Sequence, residues 1–293
     1  MRNHSFKKML SALLMLSGCI PSTSPPAASV TPVRHWAAYY GNKTPASAFK
    51  NLDLVVFDRR YHPDFKALQP RTTVLAYVSA GEVYDDVPEK NLLANRNLLL
   101  FQQDHWKSHA VDITAPQWRA MVMGYVDDAV SKGFDGVMLD TIDSPIEWSV
   151  AHAPERTDAL QAAAALLISD IRARHPDIKI MLNRGFSLLP DVADKIDFML
   201  AESILTHVNV STGQFSISSP TSYLDTAEML RQAAAASHLQ VLTLDYWNQD
   251  DAGHLHTIYA TQRTFGFAPY VTTADLRSYT PEPELPPPPR IKE

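Results

Sequence analysis

From residue 35 to residue 272 the chain alternates short apolar runs with segments of helical period. The runs are His35 to Gly41, Leu52 to Asp58, Thr73 to Ser79, Gly133 to Asp140, Ile178 to Asn183, Asp197 to Glu202, Leu239 to Tyr246 and Phe267 to Thr272. Each is of strand length and rich in Val, Leu, Ile and aromatic residues; the first is bounded by Gly41 and several others end in an acid, the pattern of buried strands. Four helical stretches lie among them. The first follows Thr114, a candidate N-cap, and Pro116, and repeats Trp118, Met121, Val122, Tyr125, Val126 and Ala129 at a helical period. The others run from Glu155 to Arg174, Ser222 to Ser237 and Asp251 to Phe265. The segment from Val83 to Ile113 has no clean period, and a loop of that length inside a compact domain is either functional or hides elements of its own.

Eight buried strands alternating with helices over about 240 residues predict a single-domain (β/α)8 barrel. An open doubly wound sheet would carry a glycine-rich phosphate turn after its first strand. Gly41-Asn42-Lys43 is not such a turn, and the chain contains no Walker sequence.

In a barrel the C-terminal ends of the strands converge on one face, whatever their separation in sequence. Those ends supply Tyr39 and Tyr40, Asp58, Glu82, Asp140 with Asp143, Asn183 with Arg184, Glu202, and Asp245 with Tyr246 and Trp247. A single strand-end acid is ordinarily a cap or an ion-pair partner, as Asp58 would be beside Arg59 and Arg60. Five carboxylate-ending strands together predict an acidic, aromatic-lined mouth. No Cys or paired His stands at a strand end, which argues against a zinc hydrolase, and there is no G-x-S-x-G nucleophile elbow. Paired carboxylates and aromatic platforms suit glycoside hydrolysis: one acid donates a proton to the leaving oxygen, and the other attacks or activates water. Crowding and burial separate their pKa values. No metal and no cofactor is expected. Trp106 and Trp118 read as core residues. Asp135, before the fourth run, belongs on the opposite, structural face, and His152, His207, His254 and His256 read as surface or local hydrogen-bonding groups. Gly213 to Ser219 reads as a polar loop after the sixth strand.

Composition adds bounds. The 293 residues are 45% hydrophobic and 20% charged, with a net charge of −6 and no basic run in the body, so nucleic acid is not an expected partner. At the N-terminus, Arg2, Lys7 and Lys8 precede an apolar stretch from Met9 to Gly18, too short to span a bilayer stably. Leu16-Ser17-Gly18-Cys19 resembles a bacterial lipobox, which implies a signal peptide over 1–18, cleavage before Cys19 and lipidation of its thiol. Cys19 is the only cysteine, which excludes disulfides within the monomer. The expected layout is a tether over 19–32, a folded domain over 33–280 and a Pro-rich tail over 281–293, in a protein of the bacterial cell envelope that is anchored by lipid to the outer membrane, or else periplasmic or secreted.

Trp36-Ala37-Ala38-Tyr39-Tyr40-Gly41, Leu54-Val55-Val56-Phe57-Asp58, Tyr77-Val78-Ser79-Ala80-Gly81-Glu82, the block from Gly133 to Asp143, Ala201-Glu202-Ser203 and Leu244-Asp245-Tyr246 occur in the order found in glycoside hydrolase family 114, the endo-α-1,4-polygalactosaminidases. The chain resembles that family over residues 35 to 275. The resemblance implies hydrolysis of α-1,4 linkages in galactosamine-containing exopolysaccharide and places the two essential acids on Asp140 and Glu202, read here as nucleophile and general acid/base. Substrate-binding residues are expected at Tyr39, Tyr40, Asp58, Glu82, Asp143, Asn183, Asp245, Tyr246 and Trp247, the acids drawing the ammonium groups of a cationic polymer. Asp143 reads as an ammonium contact or a helper to Asp140. A barrel that binds polysaccharide during export without cleaving it, and a glycosidase of different linkage, are the alternatives.

Overall fold

Each of the eight apolar runs becomes a strand of one parallel sheet. The computed structural model describes residues 32–283; the readings for the signal peptide, Cys19, most of the tether and the run from Pro286 to Pro289 fall outside the described residues. In chain order the elements are β1 (Trp36–Tyr39), β2 (Leu54–Asp58), β3 (Thr73–Ser79), β4 (Glu82–Tyr84), α1 (Pro88–Ala94), β5 (Leu99–Gln103), β6 (Ser108–Val111), α2 (Pro116–Ser131), β7 (Gly136–Asp140), α3 (Ser144–His152), α4 (Thr157–Arg174), β8 (Lys179–Asn183), α5 (Leu189–Val192), β9 (Phe198–Glu202), β10 (Thr206–Asn209), β11 (Gln214–Ile217), α6 (Pro220–Ala236), β12 (Gln240–Tyr246), α7 (Ala252–Thr264) and β13 (Ala268–Thr272). The large sheet runs β1-β2-β3-β7-β8-β9-β12-β13, with every neighbouring pair parallel. It curls into a nearly closed barrel. At the seam the Trp36 indole donates to the Ala268 carbonyl (2.9 Å) and its ring packs against Tyr270, while Tyr40 N donates to Leu276 O (2.7 Å).

Strand side chains alternate between two apolar layers, as a period of two requires. Leu54, Val56, Leu75, Met138, Met181, Leu200, Leu242 and Leu244 fill the barrel interior. Val55, Phe57, Val74, Val78, Val137, Leu139, Ile180, Leu182 and Val241 face the helices. The helices answer with one stripe each: in α4 the buried residues are Leu160, Ala164, Leu167, Ile168 and Ile171, at helical spacing. Each such Leu, Ile or Val contributes about 1.5–3 kcal/mol relative to an exposed one. At the N-terminal face Asp135 Oδ2 accepts from Val74 N (2.8 Å), so this acid caps the barrel floor, as expected.

Two features of the mouth were not in the strand pattern. The aperiodic segment folds into α1 and a three-stranded antiparallel sheet, β4-β6-β5, standing over one side of the barrel. After β9 the chain makes the β10–β11 hairpin, which takes up the polar Gly213–Ser219 stretch. The N-cap position of α2 is Ala115; Thr114 instead donates its hydroxyl to Asp112 Oδ1 (2.6 Å). Gly81 permits the tight corner between β3 and β4, because a Cβ there would lie 2.0 Å from the Thr141 carbonyl oxygen. Among the described residues no helix is long and apolar enough to cross a membrane.

Candidate active site

Asp140, Asn183 and Glu202 end the adjacent strands β7, β8 and β9, and all three share the inward parity of their strands. Asn183 joins the other two. Its Nδ2 donates to Asp140 Oδ1 (2.7 Å) and to Glu202 Oε2 (2.6 Å). Because both bonds start at one nitrogen, the two accepting oxygens are separated by no more than the sum of 2.7 and 2.6 Å. These are the facing oxygens of the two carboxyls, and a pair joined in this way suits the close spacing of retaining enzymes, about 5–5.5 Å, better than the ~6.5–9.5 Å that leaves room for an inverting water. The other oxygen of Glu202 accepts from Tyr246 Oη (2.6 Å).

Burial pushes the Asp140 carboxyl up to about 7, and the charge of Glu202 adds to the rise, against the hydrogen bonds of Asn183 and Tyr77 that draw it down. Two carboxyls this close titrate as a pair, and this pair holds one proton to near neutrality. Around it burial raises Tyr40, Tyr77 and Tyr246 far above the ordinary phenol range, with the Asp140 charge acting in the same direction on all three and the Glu202 charge on Tyr40 and Tyr246, and Tyr84 rises to about 12. All four phenols stay neutral as hydrogen-bonding groups. Tyr77 and Tyr84 join hydroxyl to hydroxyl (2.8 Å), and the Tyr40 and Tyr77 rings lie 4.8 Å apart.

The backbone is strained at the same three strand ends. Thr141, Arg184 and Ser203 directly follow Asp140, Asn183 and Glu202, and all adopt left-handed φ (61°, 53° and 55°). Such non-glycine residues cost about 1–3 kcal/mol each and gather at functional sites.

These groups open into a cleft of about 330 Å³. Of the expected site residues, Tyr40, Glu82, Asp140, Asp143, Glu202 and Tyr246 line it, and Asn183 lies beneath the acids. Glu82 is buried and accepts from the Ser108 hydroxyl (2.6 Å). Asp143, also raised by burial and secondly by Glu147, accepts from Arg184 Nε and Gly185 N (both 3.3 Å), so it holds the turn that carries Arg184.

Four expected substrate contacts are corrected. Tyr39 has the outward parity of β1: its ring packs on Phe49 and Phe57, and its hydroxyl accepts from Lys43 N and Thr44 N. Asp245 likewise faces the helix layer, fully buried, bound by Thr206 and Gln262. Asp58 caps the turn after β2, accepting from Arg60 N (2.6 Å) and Tyr61 N (3.2 Å), and lines a separate small crevice. Trp247 packs against Phe215 and His254 outside the cleft. Trp118 is in the core, as expected. Trp106, expected there too, is 53% exposed between β5 and β6 and lines the cleft. His152, His207 and His254 make local contacts, with Trp148 O, Ser218 Oγ and Asp251.

Tyr77, Tyr84, Trp106, Glu147, Arg184 and Asp275 also line the cleft. Tyr77 was open to reading, being two residues from Ser79 on an inward position of β3; Trp106 and Tyr84 came with the inserted sheet and carried no signal. Among the described residues no group of three or more His, Cys, Asp or Glu is arranged to hold a metal ion.

The model of glycoside-hydrolase family GH114 matches residues 21–284. The glycoside hydrolase domain of PelA from Pseudomonas aeruginosa superposes with a TM-score of 0.75 at 24% identity, over 84% of this chain and 97% of that one. Ega3 of Aspergillus fumigatus, solved in complex with galactosamine, superposes with a TM-score of 0.61 at 16% identity, over 85% and 96%. An uncharacterized protein of Deinococcus radiodurans is 24% identical over 309 residues, 92% of this chain and 97% of its own.

Proposed function

The chain belongs to glycoside-hydrolase family GH114, and from that membership we propose that it cleaves α-1,4 linkages in galactosamine-containing polysaccharide with retention of configuration. The observation that carries this reading is the bridge from one Asn183 nitrogen to Asp140 and Glu202. Asp140 attacks the anomeric carbon as the bond to the leaving sugar breaks, and Glu202 gives its proton to the leaving oxygen. Water then attacks the same carbon, Glu202 takes its proton, and the bond to Asp140 breaks. Glu202 suits the proton cycle because its partner is a phenol: Tyr246 donates to the carboxylate and accepts from the carboxylic acid, so one contact holds Glu202 in both states. An ammonium on the bound sugar opposes the rise that burial gives Asp140 and so favours its ionised form.

The substrate class follows from charge. Glu82, Asp143, Glu147 and Asp275 line the cleft beside the two acids, against one cation among the described residues, Arg184. Such a field concentrates a polycation, and Ega3 was solved with galactosamine bound. The test is chain-length analysis of α-1,4-linked galactosamine oligomers after incubation with the protein, with α-1,4-linked galactose oligomers as the neutral control. Shortened amino-sugar chains are expected; cleavage of the neutral set alone would overturn the substrate class, and a barrel that only binds would shorten neither.

Trp106 offers an open ring at the cleft edge. Trp106→Ala is expected to raise KM about 3–10-fold by losing cation–π and stacking contact, with kcat unchanged because the contact is the same in ground and transition states. A fall in kcat with KM unmoved would contradict this role.

For the N-terminus we infer a lipid anchor at Cys19, on the lipobox-like Leu16-Ser17-Gly18-Cys19. Cys19→Ser is expected to move the protein from the membrane to the soluble fraction; continued membrane association would count against it.

A further inference from the structure

Asp245 is fully buried and turned away from the cleft, yet its bonds to Thr206 lead toward Glu202. Its Oδ1 accepts from Thr206 N (2.9 Å) and lies 3.1 Å from Thr206 Oγ1. The Thr206 hydroxyl also accepts from Tyr246 N (3.1 Å), and it shares its single proton between Asp245 and the Tyr246 carbonyl (3.0 Å). Asp245 Oδ2 accepts from Gln262 Nε2 (2.7 Å), and Gln262 is fixed in turn by the Tyr223 hydroxyl (3.1 Å). The network therefore clamps Thr206, four residues after Glu202, to the backbone of Tyr246, whose phenol holds Glu202 Oε1 at 2.6 Å. The peptide between is the strained one: Ser203 is left-handed, and its N–H is tied to Leu244 O (2.8 Å).

We propose that Asp245 is a positioning residue of the reaction, locking the Glu202–Thr206 turn onto β12 so that the Tyr246 hydroxyl meets Glu202. It touches no substrate. A turn with a left-handed residue relaxes when one of its two anchors is cut, and a displacement of about 1 Å at a reacting group costs on the order of 100-fold in rate. Burial raises the Asp245 carboxyl above its ordinary range, and the bonds from Gln262 and Thr206 oppose that rise. The kinetic part of the test rests on the reading of Glu202 as acid/base; a second part needs no turnover.

The variants are Asp245→Ala and Thr206→Val, each alone and combined with Tyr246→Phe. Asp245→Ala is expected to lower kcat about 100-fold on galactosamine oligomers with KM within twofold. Combined with Tyr246→Phe it should lower kcat little beyond the worse single variant, because both changes release the same carboxyl. Thr206→Val cuts only the hydroxyl links and should lower kcat several-fold, which keeps the test decisive if the alanine variant does not fold. In the free protein, carboxyl carbon-13 NMR should show the titration of the Asp140–Glu202 pair moving to higher pH in either variant, since a carboxylate that loses a donor holds its proton more tightly. If wild type leaves the oligomers intact, the substrate reading falls and the titration alone decides the role of Asp245. Losses that multiply with Tyr246→Phe, or a pair titration unmoved in well-folded variants, would make Asp245 merely structural and overturn the proposal.

Discussion

Replacing Asp140 with Asn is expected to lower kcat about 10⁴-fold or more while making the protein more resistant to heat at alkaline pH. The first effect removes the nucleophile of the double displacement. The second follows from linkage. Burial, with the Glu202 charge, lifts the folded-state pKa of Asp140 to about 7 from an ordinary value of 3.8. A carboxyl raised in this way contributes stability that is fully present below its unfolded pKa and is lost as pH rises through about 7. Asn carries no such charge. At pH 8 Asp140→Asn should therefore melt higher than wild type, on the order of 5 °C for a domain of this size, and at pH 4 the two should nearly coincide. The same titration sets the alkaline limb of wild-type kcat/KM, which should fall above about pH 7 as the pair gives up its one proton. Equal melting temperatures across the pH range, or appreciable turnover by the variant, would remove Asp140 from this role.

Asn183→Ala is expected to have the second largest effect, a loss of about 10²–10³-fold in kcat, although Asn183 is itself buried beneath the acids and does not line the cleft. It supplies a hydrogen bond to each acid, bonds to charged groups of about 1.5–3 kcal/mol apiece, and it sets their separation. Without those donors both carboxyls bind protons more tightly, so the alkaline limb should move upward. Stopped assays across about pH 5–9, the range that brackets the pair's titration, measure both quantities. A variant within tenfold of wild type and with the same limb would show that the acids hold their places without the bridge.

The barrel was legible because its strands are buried on both faces and so read as apolar runs, each cut off by glycine or a polar residue. Collecting strand-end residues found the cleft but overfilled it. Tyr39 and Asp245 stand one residue out of phase with the inward set of Ala38, Tyr40, Leu244 and Tyr246, so they point at the helices. Applying the two-residue period to the ends of the strands, as well as to their interiors, separates them from the sequence alone and also brings in Tyr77. Asp58 passes that filter, and only its local turn, with two backbone N–H groups at hand, takes it out of the cleft. Trp106 and Trp247 exchanged roles for a different reason. Their places depend on the β4-β6-β5 sheet and the β10–β11 hairpin, whose pairings are antiparallel and partly exposed and leave no strong period to read. The left-handed residues at positions 141, 184 and 203 gave no signal either, since none of them is glycine.

Two carboxyls joined through one Asn183 nitrogen are expected to cleave the substrate by double displacement. The most direct measurement is proton NMR of the anomeric region during the first minutes of hydrolysis of an α-1,4-galactosamine oligomer, before mutarotation mixes the products. With retention the α anomer appears first and the β anomer only later. A β anomer formed first would mean that water attacks directly, and would contradict the claim.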